Sequence, residues 1–216
     1  MAKELVLFTL YSIVHLLVIV TIPRESFIYL PSKIIPILIL IVSVFRHVSI
    51  LSKRGKWVGV GLVFSLFGDA FLALPGGKYF VPGLGSFLIA QLMYSYAFSI
   101  RSDWKPILFL PFLIFGASFF FFLAPKLGPL LIPVLVYITA ICIMGWRAAS
   151  RNSATKPFIL GLLGALVFVA SDSIIAYSMF LNPEMDREVA SLLIMITYYM
   201  AQALIYLATK SEEIPS

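Results

Sequence analysis

Residues 66–74 read LFGDAFLAL, one carboxylate, Asp69, inside a run otherwise built of apolar and small side chains. About a hundred residues on, VASDSIIAY (169–177) repeats the arrangement with Asp172. Whether these runs lie in water or in lipid decides the fold. The composition answers: 61% of the 216 residues are hydrophobic, only 12% are charged, and the mean hydropathy is +1.03. A water-soluble domain of this size needs a far more polar surface. The charges also cluster between apolar runs close to the ~20 residues that cross a bilayer. An acid at the centre of such a span costs about 2.5–3.5 kcal/mol on insertion scales. Two acids in the same local context therefore need a reason.

The chain reads as an all-α polytopic membrane bundle of eight spans, at about 4–22, 33–51, 57–74, 80–100, 105–123, 127–146, 157–181 and 188–209. Helix is the element expected, because each span must satisfy its own backbone in lipid. The period-two alternation of a membrane barrel is absent. The gaps leave no room for a soluble domain, so residues 1–216 form a single transmembrane domain. Cys142 is the sole cysteine, which rules out a disulfide framework. The first apolar stretch, Leu5 to Ile22, shows no small-residue cleavage site and reads as a retained span.

With eight spans both termini share one side. That side carries eleven Lys and Arg residues: Lys3, Arg46, Lys53, Arg54, Lys56, Arg101, Lys105, Arg147, Arg151, Lys156 and Lys210. The other carries five: Arg24, Lys33, Lys78, Lys126 and Arg187. The positive-inside rule puts both termini in the cytoplasm. Positives beside span ends suit membrane lipids and not nucleic acid. The short termini without sorting tails suit a bacterial plasma membrane.

The two acid motifs align as Gly68-Asp69-Ala70-Phe71-Leu72-Ala73 and Ser171-Asp172-Ser173-Ile174-Ile175-Ala176. Neighbouring features recur in the same order. Lys33 precedes Pro36 at the opening of the second span, and Lys126 precedes Pro129 at the opening of the sixth. After each acid, the next span carries an aromatic four residues before a glutamine: Phe87 with Gln91, and Tyr198 with Gln202. Two four-span pseudo-repeats of like orientation follow, about 1–103 and 104–216.

Asp69 then lies roughly 7 Å, and Asp172 roughly 13 Å, below the non-cytoplasmic surface at 1.5 Å per residue. If the halves pack about a pseudo-twofold axis, both acids face one cavity, with Lys33 and Lys126 at its mouth and the amides at its floor. Asp69 and Asp172 are the candidate catalytic pair, since intramembrane acids are functional by default; the bland reading is helix-to-helix bonding. Lys33 and Lys126 are candidate phosphate contacts, or snorkelling interface residues. Gln91 and Gln202 are site members or interhelical glue. Tyr94 and Tyr198 complete the candidate substrate-binding set, although such aromatics, like Phe87 and Tyr199, more often pack than take part in chemistry. Two scattered histidines and one cysteine make no zinc constellation, and no phosphate loop or nucleophile elbow is present.

The segments GDAFLAL (68–74), PGLGSFLIAQLMYSYAF (82–98), ASDSIIAYS (170–178) and YYMAQALIY (198–206) resemble the YhhN-type lysoplasmalogenase family, eight-span membrane hydrolases, over nearly the whole chain. Gln91 stands where that family often has histidine. The resemblance implies cleavage of the vinyl-ether bond of a lysoplasmalogen, a lysophospholipid, to a fatty aldehyde and a glycerophospho-alcohol. It implies no cofactor, no metal and no protein partner. The chemistry agrees with two carboxyls: a vinyl ether hydrolyses through protonation at carbon and an oxocarbenium ion. One neutral acid and one anion serve both steps, because ionising one carboxyl disfavours ionising its neighbour. Glycosidases use the same logic on other folds. The residues alone also fit a proton-coupled transporter or permease, or a non-catalytic lipid-binding protein.

Overall fold

The computed structural model describes residues 2–48, 52–74, 77–100, 102–151 and 156–210. These fold into α-helices α1 (Ala2–Thr21), α2 (Tyr29–Ser43), α3 (Lys53–Ala73), α4 (Phe80–Ser99), α5 (Leu110–Leu127), α6 (Leu131–Ala149), α7 (Lys156–Ala176) and α8 (Arg187–Lys210). Wider π turns follow α2 at Val44–Val48 and α7 at Tyr177–Leu181. Tighter 3₁₀ turns precede α5 at Pro106–Phe109 and α6 at Gly128–Leu130. Among the described residues the sole β pairing is an isolated bridge, Ser102 with Arg151.

Local chemistry sets the helix ends. Ser52 begins α3, its Oγ accepting from the Gly55 N–H at 2.9 Å. Asp186 begins α8, its Oδ1 accepting from the Glu188 and Val189 N–H groups at 2.9 Å each. Asp186 is therefore the cap of α8. Leu74 precedes a proline and leaves the helix with ψ 140°. Gly128, at φ +50°, turns the chain between α5 and α6, and Pro129 stops α5 from continuing. The fifth and sixth helices thus run to Leu127 and from Leu131, a few residues later than the pattern predicts. Lys126 accordingly closes α5 instead of opening the next helix.

The strongest pairings are α3 with α4 and α7 with α8, with α4 also packed on α6 and α1 on α2. Small residues allow the close approaches. A Cβ on Gly61 would lie 2.3 Å from the Tyr94 ring, and one on Gly68 would lie 2.5 Å from Phe87. Tyr94 is fully buried and has nowhere to retreat. Gly61→Ala is expected to destabilise the bundle by about 1–3 kcal/mol through overpacking; thermal melting in detergent measures it.

Large apolar side chains cover the outside: Phe121 is 74% exposed, Phe122 64% and Ile132 63%. Such a surface belongs in lipid. Six stretches are long and apolar enough to cross a membrane, one of them Pro106–Ala149, which holds both α5 and α6. The chain is an integral membrane protein. The glycines, serines and Gln91 of α4 keep that helix outside the six.

Several basic residues at one end of the bundle do structural work. Arg54 donates from Nε to the Ala97 carbonyl at 3.0 Å and also bonds the Ile100 carbonyl, meeting the free acceptors at the end of α4. Arg147 donates to Ser99 Oγ at 2.8 Å, and Arg151 to the Pro157 carbonyl at 3.1 Å. Arg101 lies outside the described residues.

Candidate active site

Asp69 is 2% exposed, one turn before the end of α3. Two other helices hold it. Lys33 of α2 reaches Oδ1 at 3.3 Å, and its ammonium also donates to the Asp69 carbonyl at 3.3 Å. Tyr198 of α8 donates its hydroxyl to Oδ2 at 2.6 Å. Lys33 is itself 7% exposed, so this is a buried ion pair with its own hydrogen-bond support. Pro36 explains part of the setting, because a proline inside α2 removes a backbone donor and loosens the preceding turn. Tyr199, next to Tyr198, donates to the Lys33 carbonyl in that turn at 2.8 Å.

Asp172 sits one turn before the end of α7 and is half-buried. It too is held from two other helices, here by neutral donors. Gln91 of α4 donates Nε2–H to Oδ2 at 3.0 Å, and Tyr137 of α6 donates its hydroxyl to the same oxygen at 2.5 Å. Each acid is thus held from two helices other than its own. Asp69 meets α2 and α8; Asp172 meets α6 and α4.

Both acids line one chamber of about 600 Å³ between α2, α3, α7 and α8. Lys33, Tyr198 and Ser171 share its wall, with Phe87 and Ile194 as apolar lining. Three helix connections converge at its mouth, through Arg24 and Glu25, Leu74 and Gly77, and Pro183 and Met185; Arg187, at the start of α8, joins them. Arg24 lies 5.5 Å from the centre of the Tyr29 ring. A second, apolar groove of about 60 Å³ runs between α4, α5, α6 and α7 and reaches Asp172 from the other side.

Of the eight residues nominated from sequence, Lys33, Asp69, Asp172 and Tyr198 line the chamber. Gln91 is fully buried behind it, bonded to Asp172. Tyr94 and Gln202 are fully buried and bond each other, the Tyr94 hydroxyl donating to Gln202 Oε1 at 2.8 Å, with Ser65 Oγ 3.3 Å from that hydroxyl. They tie α3, α4 and α8 together beneath the chamber. Lys126 is apart: it is exposed in the last turn of α5 and does not line the chamber. The correction has a physical cause, since the Gly128–Pro129 break keeps Lys126 on α5, where a cation suits the helix C-terminus and snorkels outward.

Tyr137, which bonds Asp172, and Arg24 and Arg187, which line the chamber, are residues that the repeat pattern misses. Depth would have found Tyr137. It lies six residues inside α6, and Asp172 four residues from the end of antiparallel α7, so the two meet at similar depth. Among the described residues no three His, Cys, Asp or Glu side chains gather into a metal-binding group.

The profile of the YhhN family matches residues 28–209. Relatives include bovine "Lysoplasmalogenase TMEM86A", 37% identical over 160 residues, which cover 71% of this chain and 65% of the relative. Human "Lysoplasmalogenase TMEM86B" is 34% identical over 155 residues, 71% of this chain and 63% of the relative. A Mycobacterium tuberculosis "Lysoplasmalogenase" is 31% identical over 164 residues, 72% of this chain and 60% of the relative. The chain spans less than two thirds of the length of these relatives. No solved structure gives a significant match. The match runs from before Lys33 to beyond Gln202, so both acids and their holders fall within it, and the chain belongs to the YhhN family.

Proposed function

We propose that this protein hydrolyses the vinyl-ether bond of a lysoplasmalogen, releasing a fatty aldehyde and a glycerophospho-alcohol. The observation that carries the reading is that Asp69 and Asp172 line a single chamber in a chain whose relatives are named lysoplasmalogenases. The two acids differ in their partners, and the difference suggests a division of labour. Asp69 faces the Lys33 ammonium and serves as the standing anion. Among the described residues Asp172 is bonded by the neutral donors Gln91 and Tyr137, both on Oδ2, which leaves Oδ1 to carry a proton.

In the reaction, Asp172 gives its proton to C2 of the alkenyl chain. Positive charge develops across C1 and the ether oxygen, and Asp69 stabilises it. Water bonds to C1 and loses a proton to a carboxylate. The hemiacetal then breaks its C1–O bond, the proton going to the glycerol oxygen and the aldehyde departing. Each step conserves atoms and needs neither oxidant nor cofactor.

The test is turnover of an alkenyl lysolipid by the reconstituted protein in deuterated water. The aldehyde is expected to carry one deuterium at C2, the mark of protonation at carbon. Absence of aldehyde, or cleavage of an acyl ester in its place, overturns the reading. Tyr137→Phe keeps the ring and loses the hydroxyl that orients Asp172. It is expected to lower kcat about tenfold, about 1.4 kcal/mol, with KM unchanged in steady-state assays.

The same reading takes α4 as a span, which gives eight, with two parallel halves at about 1–103 and 104–216. The crossed arrangement of the acids supports it, because each is served by the final helix of the opposite half. The charge count favours both termini in the cytoplasm, with the chamber mouth opening on the other face. A bacterial plasma membrane is the proposed location.

A further inference from the structure

The chamber and the apolar groove share walls. Leu72, Phe80, Phe87, Ile175 and Asp172 line both, so the carboxylate stands where a polar space meets an apolar one. A single-chain phospholipid has one such junction, the bond between its glycerol oxygen and its chain. We propose that the groove holds the alkenyl chain and that Arg24 and Arg187 at the chamber mouth hold the phosphate, which sets the ether bond beside Asp172. This placement rests on the hydrolase reading for the chemistry, and adds where each part of the lipid lies.

The enclosed part of the groove, about 60 Å³, takes only the first carbons of the chain beside Asp172, and the remainder lies along the lipid-facing wall of α5. On α5 the groove wall is Phe115, Phe119 and Leu123, one face of the helix at four-residue spacing, about 12 Å long. Phe115 and Phe119 stack with ring centres 5.9 Å apart and planes 10° apart. Phe115 is 44% exposed, so the groove opens sideways toward lipid and a chain can enter without leaving the membrane. Where Cys142 lines the groove, α5 and α6 close up: a Cβ on Gly116 would lie 2.6 Å from Cys142 Sγ.

Phosphate recognition falls to the mouth by elimination. Lys33 is buried and paired with Asp69, and Lys126 is elsewhere. Arg24 and Arg187 line the chamber and are exposed to an entering head group. Guanidinium forks match phosphate oxygens. Glu25 beside Arg24 adds a negative wall suited to a cationic amine on the same head group.

The test reads binding without turnover, using a saturated-ether lysophosphocholine, which cannot be protonated at carbon, and the full chain in nanodiscs. Ile138→Trp, which fills the groove wall, is expected to weaken binding of the sixteen-carbon analogue at least tenfold. Arg24→Gln with Arg187→Gln is expected to weaken it similarly while leaving a phosphate-free glycerol monoalkyl ether unaffected. If Ile138→Trp fails to fold, Phe115→Ala at the exposed rim replaces it, with at least threefold weaker binding expected. Folded variants that bind every analogue like the wild type overturn the placement, even where the wild type releases aldehyde. Groove- and arginine-dependent binding without aldehyde release sinks the hydrolase reading and leaves the lipid site standing.

Discussion

Asp172→Asn lowers aldehyde release from an alkenyl lysolipid by about 10²-fold or more, the usual weight of a positioned general acid. The substitution is close to isosteric. An asparagine carbonyl still accepts from Gln91 and Tyr137, so the hydrogen bonds to α4 and α6 survive in form. What disappears is a proton that can leave. The slow step of vinyl-ether hydrolysis is proton transfer to carbon, so the loss falls on kcat, and substrate affinity is expected to change little. Initial rates across substrate concentration, in proteoliposomes with matched protein content, measure it. A near-wild-type kcat would remove Asp172 as the acid and leave Asp69 as the remaining candidate. A rise in KM with unchanged kcat would make Asp172 a binding group.

The sequence disclosed the class of fold readily because lipid imposes a coarse rule: spans must be apolar, and helical. It disclosed the acids because two carboxylates in such a background are conspicuous. The α4 and α8 partners were legible through the aromatic-then-glutamine pattern, although their division of labour was not. Tyr198 donates to Asp69 while Gln91 donates to Asp172, so the aromatic of one pattern and the glutamine of the other are the side chains that reach an acid. Lys126 misled because similarity to the Lys33 motif was read as equal placement. A lysine followed by a proline sits on whichever side of the turn the break falls, and a Gly-Pro step puts Lys126 on α5. Arg24 and Arg187 lie at connections whose convergence depends on packing between distant segments, which spacing along the chain does not encode. The basic residues at the other bundle end carry a similar lesson. Arg54, Arg147 and Arg151 followed the charge asymmetry, but their carbonyl and hydroxyl partners needed coordinates.

Lys33→Met destabilises the folded protein by about 3–5 kcal/mol, because it strands a carboxylate in a site 2% exposed. The expectation comes from the asymmetry of buried pairs: the pair together offsets much of its own desolvation, whereas either member alone does not. Asp69→Asn alone strands the Lys33 ammonium and is expected to cost a similar amount. Tyr198 softens neither loss fully, since its hydroxyl reaches only Oδ2 of the acid. The double variant Lys33→Met, Asp69→Asn removes both charges and is expected to recover most of the stability while remaining inactive, as the standing anion is gone. Thermal or chemical unfolding of the four proteins in one detergent gives the coupling energy. Single changes that simply add in the double variant would mean that lysine and aspartate are not paired. Recovered stability together with recovered activity would mean that the pair is scaffolding, and would leave Asp172 as the sole carboxyl in the chemistry.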